Sequence, residues 1–227
     1  MTAKTFAPNY PRDTQGRVLF PPDHVRRREL FVPESFEHPA KAQLFMVEEL
    51  VKYLSEPGDM IVDPFGGSGT ILVGTLLGRL VGLIELSDGY FDLCMRNAAN
   101  ITDSLSITPM MLKGPNQELI STFQDVQAFI FSPPYARALA PVGGTLGNWG
   151  GYTWEHTKLY TDTEQVQGNL SPYNLGGFNN FMFHQEMKKV YKLCLDALKP
   201  GGFTACIIKD RISQGVKDEL GYRALQD

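Results

Sequence analysis

The feature that most constrains the fold is a glycine-rich turn between a short apolar segment and a helix-forming one. Residues 60–63 (Met-Ile-Val-Asp) are predicted to form a buried strand, Gly66 to Gly69 the turn, and residues 70–78 a helix. Glycines at such a junction let a ligand approach the backbone closely and leave free amides at the helix N-terminus. No Gly-Lys-Ser or Gly-Lys-Thr follows, so the turn is not a phosphate-binding P-loop.

Strands and helices alternate along much of the chain, which predicts an α/β fold with a parallel sheet covered on both faces. Further strands are predicted over residues 81–85, 109–112, 127–131 and 203–209. Helices are predicted over residues 38–54, 88–100 and 180–198, and the last is ended by Lys199-Pro-Gly-Gly202. We expect one main domain over residues 36–227.

Glu85 ends the predicted strand that follows the glycine turn, 16 residues after Gly69. A carboxylate at that point can accept hydrogen bonds from both ribose hydroxyls of a nucleotide-like cofactor. A glycine turn at a strand-to-helix junction, with an acid closing the next strand, favours a cofactor site over a tight turn with an incidental Glu.

Ser132, Pro133, Pro134 and Tyr135 directly follow the predicted strand that ends at Phe131. Prolines have a fixed φ and no amide hydrogen, so their carbonyls remain as acceptors beyond the end of the strand. Ser132 adds a side-chain oxygen, and Tyr135 offers a flat face for stacking. The set suits a planar ring that bears an NH2 group, although an ordinary Pro-Pro turn would have the same first three residues.

Residues 1–35 contain five prolines and are predicted to be an irregular arm. The chain has a formal net charge of −4, but this arm includes the basic run Arg26, Arg27 and Arg28. The run is either a solvated patch or a contact for nucleic-acid phosphates.

Residues 136–178 interrupt the alternation with many glycines and with aromatic residues that include Trp149 and Trp154. A segment of this length is usually functional or disordered, and its aromatic content argues against plain disorder. We predict a lid or target-recognition insertion whose aromatics stack on bases; a small satellite core is the alternative.

Cys94, Cys194 and Cys206 lie far apart and form no Cys-X-X-Cys pair, so neither a structural zinc site nor any other metal is expected. No segment has about 18 uninterrupted apolar residues, and the first eleven residues lack the apolar part of a signal peptide. We expect a cytoplasmic protein.

The motifs together resemble the class I, S-adenosylmethionine-dependent amino-methyltransferases of DNA. The eight residues from Asp63 to Thr70 resemble their cofactor loop, and residues 132–135 resemble their catalytic Ser/Asp-Pro-Pro-Tyr tetrapeptide. Leu198-Lys-Pro-Gly-Gly202 resembles a further motif common in class I methyltransferases. His38-Pro-Ala-Lys41 resembles the segment beside the methionine end of the cofactor, so Pro39 and Lys41 are candidate cofactor contacts.

The resemblance implies a role for each matching residue. Asp63 would lie near the amino-acid end of S-adenosylmethionine, Thr70 would contact its carboxylate, and Glu85 would hold the ribose. The loop would be shaped by Phe65, Gly66, Gly67 and Gly69. The target amine and base would be held by Ser132, Pro133, Pro134 and Tyr135.

Three departures from the family pattern bear on the prediction. The tetrapeptide follows the cofactor loop, an order shared with RNA-modifying enzymes. Where relatives often carry an acid for the adenine amine, this chain reads Lys113-Gly-Pro-Asn-Gln117, so Pro115 or Asn116 must serve. Only 18 residues follow Lys209, which suggests a fragment, a minimal version, a dimer or one partner of a larger assembly.

We therefore expect a Rossmann-like sheet of order 3-2-1-4-5 and in-line methyl transfer without a covalent enzyme intermediate. The favoured substrate is cytosine N4 in double-stranded DNA, because the tetrapeptide begins with Ser132; adenine N6 is second. A host-defence, phage or regulatory role is left open. The alternatives are an RNA base N-methyltransferase and an inactive nucleic-acid-binding subunit. Methylation at cytosine C5 is disfavoured, because no cysteine follows a proline.

Overall fold

The computed structural model describes residues 4–37, 41–102, 107–134 and 173–208, together with two short strands at 211–213 and 216–218. Its helices are α1 (His24–Leu30), α2 (Leu44–Leu54), α3 (Val73–Leu76), α4 (Asp88–Thr102), α5 (Asn116–Leu119) and α6 (Asn180–Ala197). Its strands are β1 (Met60–Asp63), β2 (Leu80–Glu85), β3 (Met110–Lys113), β4 (Val126–Phe131), β5 (Leu198–Cys206), β6 (Arg211–Ser213) and β7 (Val216–Asp218).

The five main strands form one parallel sheet in the order β3-β2-β1-β4-β5, as the sequence predicted. The chain order reverses between β1 and β4. In such sheets the carboxyl ends of the strands at the reversal border the ligand crevice. The fold is Rossmann-like, with helices on both faces of a parallel sheet.

Side chains alternate between two hydrophobic layers, one on each face of the sheet. On β1, Ile61 packs in the layer with α2, α3 and α4, and Val62 packs in the layer with α6. On β4, Ile130 and Phe131 divide in the same way. Both layers are apolar, which explains why residues 60–62 of β1 and 128–131 of β4 are continuous hydrophobic runs rather than alternating ones.

The N-terminal segment is more ordered than the predicted irregular arm. It contains α1, and its aromatic side chains pack on α2: the ring centroids of Phe6 and Tyr53 are 5.6 Å apart, and those of Tyr10 and Phe45 are 6.3 Å apart. Prolines exclude a long helix but not a seven-residue one that begins at His24, after the last of the first four prolines.

Two predicted boundaries differ from the structure. The helix expected from residue 38 begins at Leu44, because the side chain of Gln43 accepts a hydrogen bond from the amide of Met46 and caps it. The segment Lys199-Pro-Gly-Gly202 lies within β5, where the pairing jumps from Val126–Leu198 to Ala128–Phe203. These residues therefore form a bulge in the edge strand. The other predicted boundaries agree to within three residues.

The short helix α5 and the antiparallel hairpin of β6 and β7 were not predicted from the sequence. Both are only three or four residues long, too short for a periodic hydrophobic pattern to develop. No helix in the part of the chain that the structure describes is long and apolar enough to cross a membrane.

Candidate cofactor and substrate site

The residues predicted to bind the cofactor and the substrate meet at the carboxyl ends of β1, β2 and β4. Asp63 is the last residue of β1 and pairs in register with Leu83, two residues before Glu85 at the end of β2. On the other side of β1, Val62 pairs with Phe129, two residues before β4 ends at Phe131. The fold therefore brings the cofactor loop, Glu85 and Ser132 to one edge of the sheet.

The glycine turn is tied to the end of β2 by two backbone amides. The amide of Gly66 donates to the carbonyl of Ile84 over 2.8 Å, and the amide of Gly67 donates to Glu85 Oε2 over 2.6 Å. A Cβ at Gly66 would lie 3.0 Å from Leu83 Cδ1 and 3.2 Å from the carbonyl oxygen of Ile84. A side chain here would push the loop away from β2, so glycine sets the close approach.

Two carboxyls in this site have strongly raised pKa values. Burial raises the pKa of Asp63 to about 7, with the charge of Glu85 adding to the shift, although the amide of Phe65 donates to Asp63 Oδ1 over 2.8 Å. Burial raises the pKa of Glu85 to about 7 against the opposing hydrogen bonds from Ser87 and Gly67. Within the described residues neither carboxyl makes a salt bridge. The pair suits a cationic ligand that would favour both ionised forms.

Thr70, at the end of the loop, is bonded to a residue predicted for another role. Arg27 is 1% exposed, and its Nη1 donates to Thr70 Oγ1 over 3.3 Å. Its Nη2 forms an ion pair with Asp23 at 2.9 Å. The prediction that Arg27 contacts nucleic-acid phosphates is therefore wrong, because its guanidinium is enclosed by the protein. The spacing of four residues between Asp23 and Arg27 on a helix was the signal that could have indicated this pairing.

Asn97 is a second buried link to the loop, and sequence reasoning missed it. Its Nδ2 donates to the carbonyl of Ser68 over 2.9 Å, and its Oδ1 accepts from the amide of Val32 over 2.9 Å. Ser35 completes the network with hydrogen bonds to the same amide group. The loop is thus held from behind by the N-terminal segment and α4. The signal that could have indicated this was helical spacing, because Asn97 lies on the same face of α4 as Leu93, Cys94 and Ile101.

The region beyond β3 differs in detail from the prediction. Asn116 is buried, and its Nδ2 donates to the carbonyl of Pro64 over 3.1 Å, so the side chain supports the loop. The next residue, Gln117, has a buried Oε1 for which the described part of the chain provides no hydrogen-bond donor. An unpaired buried acceptor is costly, and it marks a position where a donor would bind. Gln117 was not among the predicted contacts.

The start of the tetrapeptide lies beside the cofactor loop. Ser132, Pro133 and Pro134 are partly exposed after β4. The ring of Phe65, in the loop, lies 5.6 Å from the ring of Phe131, which immediately precedes Ser132. Tyr135, Trp149 and Trp154 lie outside the described residues, as do Pro39 and most of the predicted insertion.

The remaining predicted contacts lie on the N-terminal side. Lys41 is partly buried, and its Nζ donates to the carbonyl of Phe36 over 2.8 Å. Arg26 forms ion pairs with Glu29 at 3.1 Å and Glu48 at 3.9 Å. Arg28 is exposed, with its guanidinium 5.9 Å from the centroid of the Phe36 ring.

Comparison with protein families gives a match for the segment that contains the cofactor loop. Residues 9–96 match the sequence profile of a DNA methylase family of the N6 and N4 type. The match includes α1, the cofactor loop and Glu85, and it ends before Ser132. It agrees with the resemblance to the amino-methyltransferases in the cofactor loop and at Glu85.

The solved structures that resemble this protein share little sequence with it. A precorrin 8W decarboxylase from Methanobacterium thermoautotrophicum has a TM-score of 0.50 and 14% identity, with 92% of this chain and 78% of that chain covered. TrmN from Thermus thermophilus has a TM-score of 0.48 and 17% identity, with 84% and 50% covered. The first of these shows the fold alone. No curated protein matches this sequence.

Proposed function

We propose that this protein is an S-adenosylmethionine-dependent methyltransferase that modifies an exocyclic amino group of a nucleobase, with cytosine N4 in double-stranded DNA as the favoured target and adenine N6 as the second. One observation carries the proposal: the contact between Phe65 and Phe131 joins the cofactor loop to the strand that leads into Ser132. The cofactor site and the amine-binding tetrapeptide are thus adjacent, which methyl transfer requires. The DNA methylase profile supports DNA as the substrate.

The residues present fit S-adenosylmethionine. Asp63 and Glu85 are carboxyls without a cationic partner in the described chain, and Gln117 Oε1 is an acceptor without a donor. The cofactor, when bound, supplies a methyl group activated by a positive sulfonium. Asp63 would face its amino-acid end, Glu85 would accept from its ribose hydroxyls, and Thr70 would donate to its carboxylate.

The tetrapeptide would act on the target base by hydrogen bonding and stacking. Ser132 Oγ and the carbonyl of Pro133 would accept both hydrogens of the target NH2. These bonds draw the nitrogen lone pair away from the ring and towards the methyl group. Tyr135 would stack on the base, which a duplex must first release by flipping. Ser132, rather than an acid, at the first position favours cytosine over adenine.

The direct test is transfer of a labelled methyl group from S-adenosylmethionine to duplex DNA, single-stranded DNA and RNA of the same sequence, followed by digestion to nucleosides. We expect label in N4-methylcytosine from DNA, and none from the Ser132→Ala variant. Ser121→Ala, a change at an exposed serine away from the site, is the matched control and should retain activity.

The other outcomes each point to a different function. Label in N6-methyladenine would keep the DNA substrate and replace the base. Label in RNA alone would identify an RNA base methyltransferase. Cofactor binding without label in any nucleic acid would overturn the enzymatic proposal in favour of a binding subunit.

A further inference from the structure

Arg27 is buried next to the cofactor loop although it lies 43 residues before Thr70 in the chain. Its guanidinium makes three hydrogen bonds: 3.3 Å to Thr70 Oγ1, 2.9 Å to Asp23 Oδ2 and 2.7 Å to the carbonyl of Ala42. Its central carbon lies 5.4 Å from the centroid of the Phe31 ring. A buried arginine with this many partners has a fixed orientation.

The charge of Arg27 is balanced within the N-terminal segment. Asp23 Oδ2 accepts from Arg27 and from the amide of Leu44 at 2.8 Å. Although burial alone would raise the pKa of Asp23, the Leu44 amide and the Arg27 charge hold it below its ordinary value. Asp23 is therefore ionised at neutral pH, and the ion pair stabilises the guanidinium in place. Because Asp23 already neutralises Arg27, an anion near Thr70 would interact with the Thr70 hydroxyl and not form a second ion pair with Arg27.

The hydrogen bond from Arg27 fixes what the Thr70 hydroxyl can do. A hydroxyl has one hydrogen to donate and two lone pairs to accept with. Because Oγ1 accepts from Arg27, its own hydrogen points away from the guanidinium. Among the described residues no acceptor takes that hydrogen. Thr70 therefore presents a donor that is polarised by a neighbouring cation.

We propose that Arg27 is a positioning residue that orients and polarises the Thr70 hydroxyl towards the carboxylate of the cofactor's methionine part. The inference rests on the proposed cofactor role of Thr70. It gives the N-terminal segment a function in cofactor selectivity, rather than the contact with nucleic acid that the basic run suggested. Arg27 acts through Thr70 and does not itself touch the carboxylate.

Decarboxylated S-adenosylmethionine, which differs from the cofactor only in lacking the carboxylate, provides the test. Binding of both ligands is measured by calorimetry for the wild-type protein and for Arg27→Lys and Thr70→Val. Lysine keeps the charge but has a single nitrogen, whereas Arg27 bonds to Thr70 through Nη1 and to Asp23 and Ala42 through Nη2. We expect each variant to bind S-adenosylmethionine about tenfold more weakly and the decarboxylated form as the wild type does.

Asn97→Ala is the matched control, because Asn97 also ties the N-terminal segment to the loop but bonds to Ser68 and not to Thr70. This variant should weaken the binding of both ligands by the same factor. Equal losses for both ligands in Arg27→Lys would show a merely structural role and overturn the proposal. Thr70→Val leaves Arg27 paired with Asp23 and so tests the same selectivity if Arg27→Lys does not fold.

The wild-type measurements separate this inference from the proposed function. Binding of neither ligand would overturn the cofactor assignment itself. Equal binding of both would show that no group senses the carboxylate, and would overturn the role of Arg27 alone. In the double variant of Arg27→Lys with Thr70→Val, we expect no loss of selectivity beyond that of Thr70→Val; an additional loss would mean that Arg27 acts independently of Thr70.

Discussion

The backbone amide of Gly67 donates a 2.6 Å hydrogen bond to Glu85 Oε2, so the acidic residue at the end of β2 holds the cofactor loop directly. Its other oxygen, Oε1, accepts from the amide of Ser87 at 2.8 Å. Each carboxylate oxygen retains a further lone pair for a ligand hydroxyl. Glu85 can therefore shape the loop and bind ribose at the same time.

Glu85→Ala should weaken cofactor binding at least tenfold, because charge-assisted hydrogen bonds of roughly 1.5–3 kcal/mol each are lost on both the loop and the ribose side. Glu85→Gln keeps one acceptor oxygen, so its loss should be smaller. Calorimetric titration with S-adenosylmethionine measures both. Unchanged affinity in Glu85→Ala would exclude the ribose role.

The raised pKa values of Asp63 and Glu85 predict that stability falls with pH when the cofactor is absent. In the folded state both pKa values are about 7, above 3.8 and 4.5 for the unfolded chain. The contribution of these groups is fully present below about pH 4 and is lost as the pH rises through about 7. Urea unfolding at pH 5, 6, 7 and 8 should show the decline, and Asp63→Asn should reduce it.

Cofactor binding should show the opposite pH dependence. A sulfonium and an ammonium group favour ionised carboxylates, so binding lowers both pKa values and releases protons near pH 7. We expect affinity to increase from pH 6 to pH 8. Calorimetry in buffers with different ionisation enthalpies measures the protons released. If the wild type released none, the prediction that Asp63 and Glu85 become ionised on cofactor binding would be wrong.

Much of the fold followed from the sequence because its signals are local. The apolar run before Asp63, the turn at Gly66 and Gly69, and the acid at Glu85 each fix a nearby element. Because parallel strands align their carboxyl ends, these elements then imply where the site lies. The order β3-β2-β1-β4-β5 needed the family resemblance as well.

The errors arose where tertiary contacts decide. Three consecutive arginines have the same local sequence context, yet only Arg27 faces inward on α1, where Asp23, Thr70 and Ala42 surround it. Asn97 similarly gains its role from Val32, Ser35 and Ser68, which are distant in sequence. The burial of Arg27 cannot be derived from periodicity in so short a helix as α1. Helical spacing places Asn97 on the buried face of α4, but it does not reveal the hydrogen-bond partners.

Gly69→Ala should destabilise the loop more than an alanine at another left-handed glycine. Gly69 has φ +75°, and a Cβ would lie 2.9 Å from Leu72 Cδ1 and 3.3 Å from Cys94 Sγ. Gly16 has φ +79° with nothing within 4 Å, so Gly16→Ala measures the backbone strain alone, about 1–2 kcal/mol. We expect a larger loss of unfolding free energy for Gly69→Ala; equal losses would mean that Leu72 moves aside freely.

Gln117→Leu should separate stability from binding. Removing a buried acceptor without a partner is expected to leave the free energy of unfolding unchanged or to raise it by up to about 1 kcal/mol. If Oε1 accepts from the adenine amine of the cofactor, affinity for S-adenosylmethionine should fall about tenfold. Gln124→Leu, at an exposed position seven residues further along the chain, is the control and should change neither. Loss of stability in Gln117→Leu would indicate a structural role.

The basic run can contribute at most two phosphate contacts, since Arg27 is enclosed. Replacing Arg26 and Arg28 by Ala should therefore reduce the salt dependence of nucleic-acid binding by up to about two contacts, and leave cofactor affinity unchanged. Lys189→Ala with Lys192→Ala is the matched control, because these exposed cations on α6 also pair with neighbouring carboxylates, at 2.6 and 2.7 Å. The measurement is the slope of the logarithm of the binding constant against the logarithm of salt concentration. A slope that changes equally in both double variants would reflect overall charge, whereas a change confined to the Arg26 and Arg28 variant would make this face of α1 a contact for the nucleic-acid backbone.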